Sequence, residues 1–272
     1  MHTKTKDIQK QYQGYINTSP LWMKDSVFGI EQFEFRIKEE TVFNEELSSN
    51  LRLGKRVERF VSNELKQDDT IEIVLENKQI QVEKRTIGEL DCILKQDDTP
   101  IHLEVIYKFY LFDERVGTTE IEHWIGPNRN DTLVKKLTKL KEKQLPLLYS
   151  EHTKPILEEL KLNAKDIKQC VYFKAQLFVP YTSEIPEFKL LNRQCLAGFY
   201  IHLSEIDKFT DCKFYIPSKL NWLMAIQTQV TWLNFDSFCG QINTLIHEKK
   251  APLCWLKRPN GTLEKFFVVW WS

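Results

Sequence analysis

The sequence predicts a mixed α/β fold: a sheet flanked by helices over residues 51–180, with a C-terminal α+β extension over 181–272. Three observations carry this. Apolar residues recur at helical spacing in 51–66 and again in 129–145. Between them lie runs that alternate at period two, as half-buried strands do. A further run, 169–180, is rich in Val, Phe and Tyr, residues suited to a pleated surface. The order helix, strands, helix, strand then describes a layered α/β core.

The 272 residues suffice for one large domain or for a core with an appended subdomain. Hydrophobic residues make up 42% and charged residues 28%, which points to a packed core rather than disorder. Lysine plus arginine equals aspartate plus glutamate at 38 each. Net charge therefore exerts no global pull on nucleic acid, and such a partner must be met by a local basic patch. The six cysteines are scattered, with no C-x-x-C pair, so neither a zinc site nor a redox motif is expected. The first residues lack the apolar core of a signal peptide, and no run approaches the roughly 18 apolar residues of a membrane span. The expectation is a reduced cytoplasmic protein, without a membrane partner. There is no Gly-rich phosphate loop, no G-x-S-x-G elbow and no internal repeat.

Residues 1–50 read as a segment covering the core. Ser19-Pro20-Leu21-Trp22 is a candidate start for a short helix, and 28–37 alternates through Phe33, Phe35 and Ile37 as a strand would. In 51–66, Leu53, Val57, Phe60, Val61 and Leu65 form the apolar stripe of an amphipathic helix. Glu58 lies beside that stripe and Glu64 nearer the solvent side; an ordinary role for Glu58 is a surface carboxylate among Lys55, Arg56 and Arg59. Runs 70–75 and 79–84 flank Glu76-Asn77-Lys78 and predict a hairpin.

A second hairpin is expected from runs 87–94 and 101–109 around Asp97-Asp98. With a two-residue turn there, Asp91 stands opposite Glu104. Side chains alternate along a strand, so Leu90, Cys92, Leu94, Ile101, Leu103, Val105 and Tyr107 share a core face. Glu89, Asp91, His102, Glu104 and Lys108 share the other. Opposed residues have Cβ atoms about 4.5–5.5 Å apart and like charges there repel, so a cation between Asp91 and Glu104 would relieve the pair. Hard divalent ions take such oxygen ligands. The alternative is a solvated charged face. His102 and His123 are isolated and read as structural.

A polar loop over 113–122 leads to Gly126-Pro127-Asn128 and then the helical pattern 129–145, stopped by Pro146. Asn128 or Asn130 is the expected N-cap. A helix N-terminus with Arg129 beside it would suit a phosphate; an ordinary capped helix is the alternative. Leu133, Leu137 and Leu140 form the buried stripe, which Gln144 continues. A glutamine there needs a partner, either the backbone or a site beneath the carboxylates. Lys136, in line with Leu140 and Lys143, is a candidate for a phosphate backbone.

The run 169–180 is expected to close the core sheet. Beyond it, 196–203 and 213–216 read as strands, and 218–230 and 236–248 as helices capped by Ser218 and Asp236. A final hairpin around Asn260-Gly261 pairs Lys257 with Glu264 and Trp255 with Phe266. Five of the seven tryptophans fall in the last 51 residues. Residues 266–271 are apolar on both faces, which suits a buried strand or, alternatively, a homodimer or protein-partner interface.

An Asp on one strand followed by Glu and Lys on the next resembles the signature of the PD-(D/E)XK nuclease superfamily. The stretches GELD (88–91), EVIYKFYL (104–111), WIGPNRND (124–131) and KQLPL (143–147) are similar to an uncharacterised bacterial domain-of-unknown-function family, itself placed in that superfamily by remote similarity. The superfamily-like core covers about residues 51–180. The resemblance implies a metal-dependent endo- or exonuclease acting on DNA or RNA, with Mg²⁺ (or Mn²⁺) held by Asp91 and Glu104. It also implies that Glu58 joins the metal shell, that Lys108 acts on the phosphate and that Gln144 supports the geometry. One departure stands out. The superfamily has one residue between acid and lysine, but three separate Glu104 from Lys108, which places Lys108 about 13 Å along the strand. Ile106 holds the usual lysine position, and Lys136 is a candidate to supply the missing charge. A non-catalytic module of the same fold, binding nucleic acid or a protein, is the alternative.

Overall fold

The computed structural model describes residues 2–23, 25–34, 41–48, 50–182 and 184–271. Among these, nine strands join in one mixed sheet. They are β1 (Ile71–Val82), β2 (Arg85–Gln96), β3 (Thr99–Phe112), β4 (Trp124–Ile125), β5 (Lys168–Pro180), β6 (Leu196–His202), β7 (Lys213–Tyr215), β8 (Leu253–Lys257) and β9 (Leu263–Val269). Their order is β1-β2-β3-β5-β6-β9-β8-β7, with β4 paired to β3. The centre is parallel, from β3 through β5 and β6 to β9, and antiparallel hairpins finish both ends. The helices are α1 (His2–Ile16), α2 (Leu53–Leu65), α3 (Leu133–Lys139), α4 (Lys154–Glu159) and α5 (Phe235–His247).

The mixed α/β expectation is met, but β5 does not close the sheet. Its far end pairs with β6, so the strands of the C-terminal extension prolong the same sheet. Alternation along β3 sorts the layers. Leu103, Tyr107, Phe109 and Leu111 pack with Tyr12, Tyr15 and Phe60 from α1 and α2. Ile106 and Tyr110 pack on the other side with Leu133, Leu137 and Leu140.

Several local expectations are corrected. The first hairpin does not turn at Asn77: β1 runs through it and turns at Glu83-Lys84. Asn77 keeps turn-like geometry, φ 52°, but absorbs it inside the strand, where pairing to β2 outweighs local turn preference. Residues 219–223 form only a 3-10 turn rather than a long helix. The cap of α5 is Asn234, not Asp236. In the last hairpin Trp255 pairs Lys265 and Lys257 pairs Leu263, one residue from the expected register. The loop is five residues long and closes with Arg258 N–H donating to Thr262 O, and a slip of one residue exchanges the faces.

The N-terminal segment is more than a cover. Tyr12, Tyr15, Leu21 and Trp22 are fully buried. No helix starts at Ser19; instead Leu21 N–H donates to Phe173 O and Phe33 N–H to Val171 O, so this chain lines the edge of β5 that lacks a β6 neighbour. Between these contacts the Gln32 amide bonds both Phe173 N–H and Phe173 O, as a peptide group would. Of the strand expected at 28–37, Phe35 and Ile37 lie outside the described residues; the remainder makes isolated bridges. Glu64 is also inside rather than solvent-facing. It is buried under α1, accepts hydrogen bonds from Tyr15 and Tyr172, and shares its site with buried Lys174, which stacks on both rings.

All six cysteines are free. Among the described residues no helix is long and apolar enough to cross a membrane.

Candidate active site at the fork of the sheet

The charged hairpin forms as the sequence implies. Asp97 and Asp98 both take positive φ, 46° and 66°, the requirement of a two-residue type I′ turn. Pairing runs from Gln96–Thr99 to Cys92–Leu103, in the register that brings Asp91 to Glu104, and there the ladder stops. Beyond that point β2 stays with β1 and β3 goes with β5, so the sheet forks. Asp91 Oδ2 accepts from Val105 N–H at 3.0 Å, a side chain replacing the missing ladder bond. Leu90 packs with Ile93, Leu147 and Leu148, whereas Cys92 and Leu94 lie in the layer of α1 and α2. The expected face containing Leu90, Cys92 and Leu94 together is thus broken at Asp91, where an irregular strand re-aims the carboxylate.

Glu104 is fully buried beside the fork. Its Oε2 accepts from Gln144 Nε2, and Lys136 Nζ donates to Gln144 Oε1 at 2.8 Å. Its Oε1 lies 3.3 Å from His102 Nε2. Gln169 Nε2 donates to Leu145 O at 2.7 Å, which orients its amide, and meets His102 Nδ1 at 2.9 Å. Nδ1 is then the acceptor and Nε2 carries the proton toward Glu104. His102 is therefore part of the site's framework, not isolated. Its position on the acidic face of β3 was the available signal.

Gln144 reaches Glu104 because the helix changes winding. After α3, residues 140–144 make a π turn and 145–149 a 3-10 turn. Pro146 has no N–H to continue the α ladder, and Leu145 N–H donates to Leu140 O instead. Such π bulges recur at functional sites. Gly88 permits the approach: a Cβ there would lie 2.6 Å from a methyl of Leu147.

Burial, then the charge of Glu104, pushes the Asp91 carboxyl up to about 7. Burial likewise lowers the Lys136 amine to about 8, against the opposing pull of Glu104. Glu58 stands across the fork on α2 and is also raised, by burial first, with Glu89 and Glu104 adding to it. Its carboxylate is held by Lys55 at 2.7 Å, and the same amine bonds Glu89 and Asn77. Among the described residues no three His, Cys, Asp or Glu side chains are gathered as a metal cluster. The two-carboxylate set still suits Mg²⁺, which is commonly held by one or two carboxylates with waters and phosphate oxygens. Each bonded carboxylate oxygen of Asp91 and Glu104 accepts a single hydrogen bond here, which leaves lone pairs for a cation.

The remaining sequence candidates are placed elsewhere. Lys108 is on the expected face, but its amine binds Asp131 at 2.6 Å. The helix cap is Thr132, whose hydroxyl accepts from Lys135 N–H, not Asn128 or Asn130. α3 is only seven residues long, and Asn128 Oδ1 accepts instead from Ala251 N–H. Arg129, at φ 58°, bonds Asp113 at 3.0 Å and stacks on Trp271. Trp271 Nε1 donates to Pro127 O. The 126–131 turn thus holds Trp271, and the Asn128 and Arg129 side chains are engaged within the protein rather than presented to phosphate. The aromatic C-terminus is engaged too: Phe266, Phe267 and Trp255 are buried between β6, β9 and β8, because a strand paired on both sides and apolar on both faces belongs inside. Of residues 266–271, Trp270 alone remains partly exposed.

A family described as Domain of unknown function (DUF1853) matches residues 31–269, and the chain belongs to that family. No curated protein matches the chain, and no solved structure does.

Proposed function

We propose that this member of the DUF1853 family is a metal-dependent nuclease, with Mg²⁺ (or Mn²⁺) held by Asp91 and Glu104 and the phosphodiester bonds of nucleic acid as its substrate. The observation that carries the reading is the acidic pair at the fork, with Asp91 held near 7 by burial and by Glu104. Two carboxylates in so dry a place repel each other, and an oxygen-binding divalent ion is the partner that would neutralise them. The arrangement is similar to the PD-(D/E)XK pattern: a hairpin bearing Asp and then Glu, a preceding helix with Glu58 and a following helix with Gln144.

When bound, the ion would supply Lewis-acid polarisation of a phosphate and a more acidic water. The chain's own residues do the rest. Lys136 replaces the displaced Lys108 and offers its charge to the phosphate as negative charge develops. Gln144 holds Lys136 and Glu104 in one geometry, and His102 orients Glu104 from the other side. Glu58 contributes once Lys55 releases it, which makes it a supporting group in the present arrangement.

The test is titration of Mg²⁺ and Mn²⁺ into the wild type and an Asp91→Asn/Glu104→Gln double variant, followed by thermal stability and by cleavage of DNA and RNA. Metal should stabilise the wild type alone, and cleavage should disappear in the double variant. Absence of any metal response in the wild type would overturn the reading. The pairing of Lys108 with Asp131, which commits the expected catalytic lysine, favours a second reading, a non-catalytic module of the same fold that binds nucleic acid or a protein partner. Salt-dependent binding without cleavage at saturating metal would select it.

A further inference from the structure

A cavity of about 630 Å³ lies among α1, β5, β6, β9 and residues 223–226, and includes Thr18, Gln176 and Lys265 in its wall. It exists because β5 and β6 pair only from Leu177 onward, with a register shift at once after it; before that point the two strands have no shared ladder. Two glycines bring its walls together. A Cβ on Gly14 would lie 1.9 Å from Leu223 O, and one on Gly198 would lie 2.0 Å from Lys265 O.

Lys265 Nζ donates to Gln176 Oε1 at 2.9 Å and to Trp222 O at 3.3 Å. The Gln176 amide is fixed in turn by Tyr107, whose hydroxyl meets Thr18. Among the described residues no carboxylate pairs with Lys265; Glu264, also on the wall, is neutralised by Arg258. Lys265 is the one cation on the cavity wall among the described residues. Lys265 is half-buried; an ammonium drawn partly out of water without a counter-ion is unfavourable, and burial pushes this one down to about 8.

We propose that this cavity binds a small organic carboxylate with an apolar body, its carboxylate on Lys265 Nζ and its body against Val179, Leu196, Phe199, Leu223 and Ile226. An ammonium has three N–H donors and two are committed to Gln176 and Trp222, so a single negative charge with one further hydrogen bond is what the site can satisfy. A phosphate dianion would require further cations that the wall does not provide. The apolar lining gives the remaining contact, as in most small-molecule sites. The proposal does not depend on the metal site at the fork.

Octanoate is a suitable probe, measured by calorimetry on the full chain without divalent metal, beside octanol and octyl phosphate. Octanoate should bind saturably, and octanol at least about tenfold more weakly, a difference of roughly 1.4 kcal/mol. Lys265→Met keeps the length of the side chain and should erase that preference while leaving the circular dichroism unchanged. Equal binding of octanol and octanoate to the wild type would overturn the proposal without recourse to any variant. Failure of octanoate to bind, or a preference for octyl phosphate, would do the same.

Discussion

Replacing Asp91 by Asn should stabilise the metal-free protein at pH 8. The amide keeps an oxygen for the Val105 N–H that the carboxylate now accepts, removes the repulsion with Glu104 and removes a buried charge. A tenfold change in proton affinity is worth about 1.4 kcal/mol. Holding the carboxyl at about 7 rather than at its ordinary 3.8 therefore costs the ionised fold at most about 4 kcal/mol. Sharing of the interaction with Glu104 and partial solvation reduce this to about 2 kcal/mol, or about 4–8 °C in Tm for a chain of this size. The sign follows from linkage. The folded protein holds this proton more tightly than the unfolded chain, so its contribution is fully present below pH 3.8 and is lost as pH rises through 7. The advantage of the variant should be close to zero near pH 4 and largest at pH 8, read by calorimetric melts in a chelator. Saturating Mg²⁺ should then reverse the order, because at a hundred times Kd a ligand adds about 2.7 kcal/mol to the wild type alone. A variant less stable than wild type at pH 8, or a difference that ignores pH, would refute the account of Asp91 as an uncompensated charge.

Metal binding should release a proton near neutral pH, since Asp91 must ionise to act as a ligand; calorimetry in buffers of different ionisation enthalpy at pH 6 and 8 would measure it, and affinity should rise across that interval. Lys136→Met should lower cleavage by about 10²–10³-fold, the usual loss for a transition-state donor, whereas Lys108→Met should lower it much less, its amine being committed to Asp131. Single-turnover rates would separate the two. Gly198→Ala should destabilise by about 1–3 kcal/mol or more, because its Cβ would meet the Lys265 carbonyl oxygen at 2.0 Å in the β6–β9 pair; urea unfolding would register it.

The features that local chemistry controls were legible in the residues alone. The 3.6-residue spacing of Leu53, Val57, Phe60 and Leu65 defined α2, and the Asp97-Asp98 turn set the register of β2 with β3. That register carried Asp91 toward Glu104, and the fork then turned its carboxylate onto Val105 N–H. The alternation of β3 also placed Glu104, Lys108 and His102 on one face, and Gln144 stood out as a polar residue in an apolar stripe. Which charges were engaged depended on long-range packing. Lys108 could have faced a phosphate, but Asp131, far along the chain, takes it; Arg129 could have done so, but Asp113 and Trp271 hold it. His102 gained its place through Gln169 on another strand, and Gln144 reached Glu104, and so met Lys136, only because the helix rewinds before Pro146. Likewise the β6–β9 pairing that carries Lys265 into its cavity joins segments some 67 residues apart. Hydrophobic periodicity is written within a few turns of chain, whereas the partner of a long charged side chain is chosen by proximity in space, and that depends on every strand crossing between them.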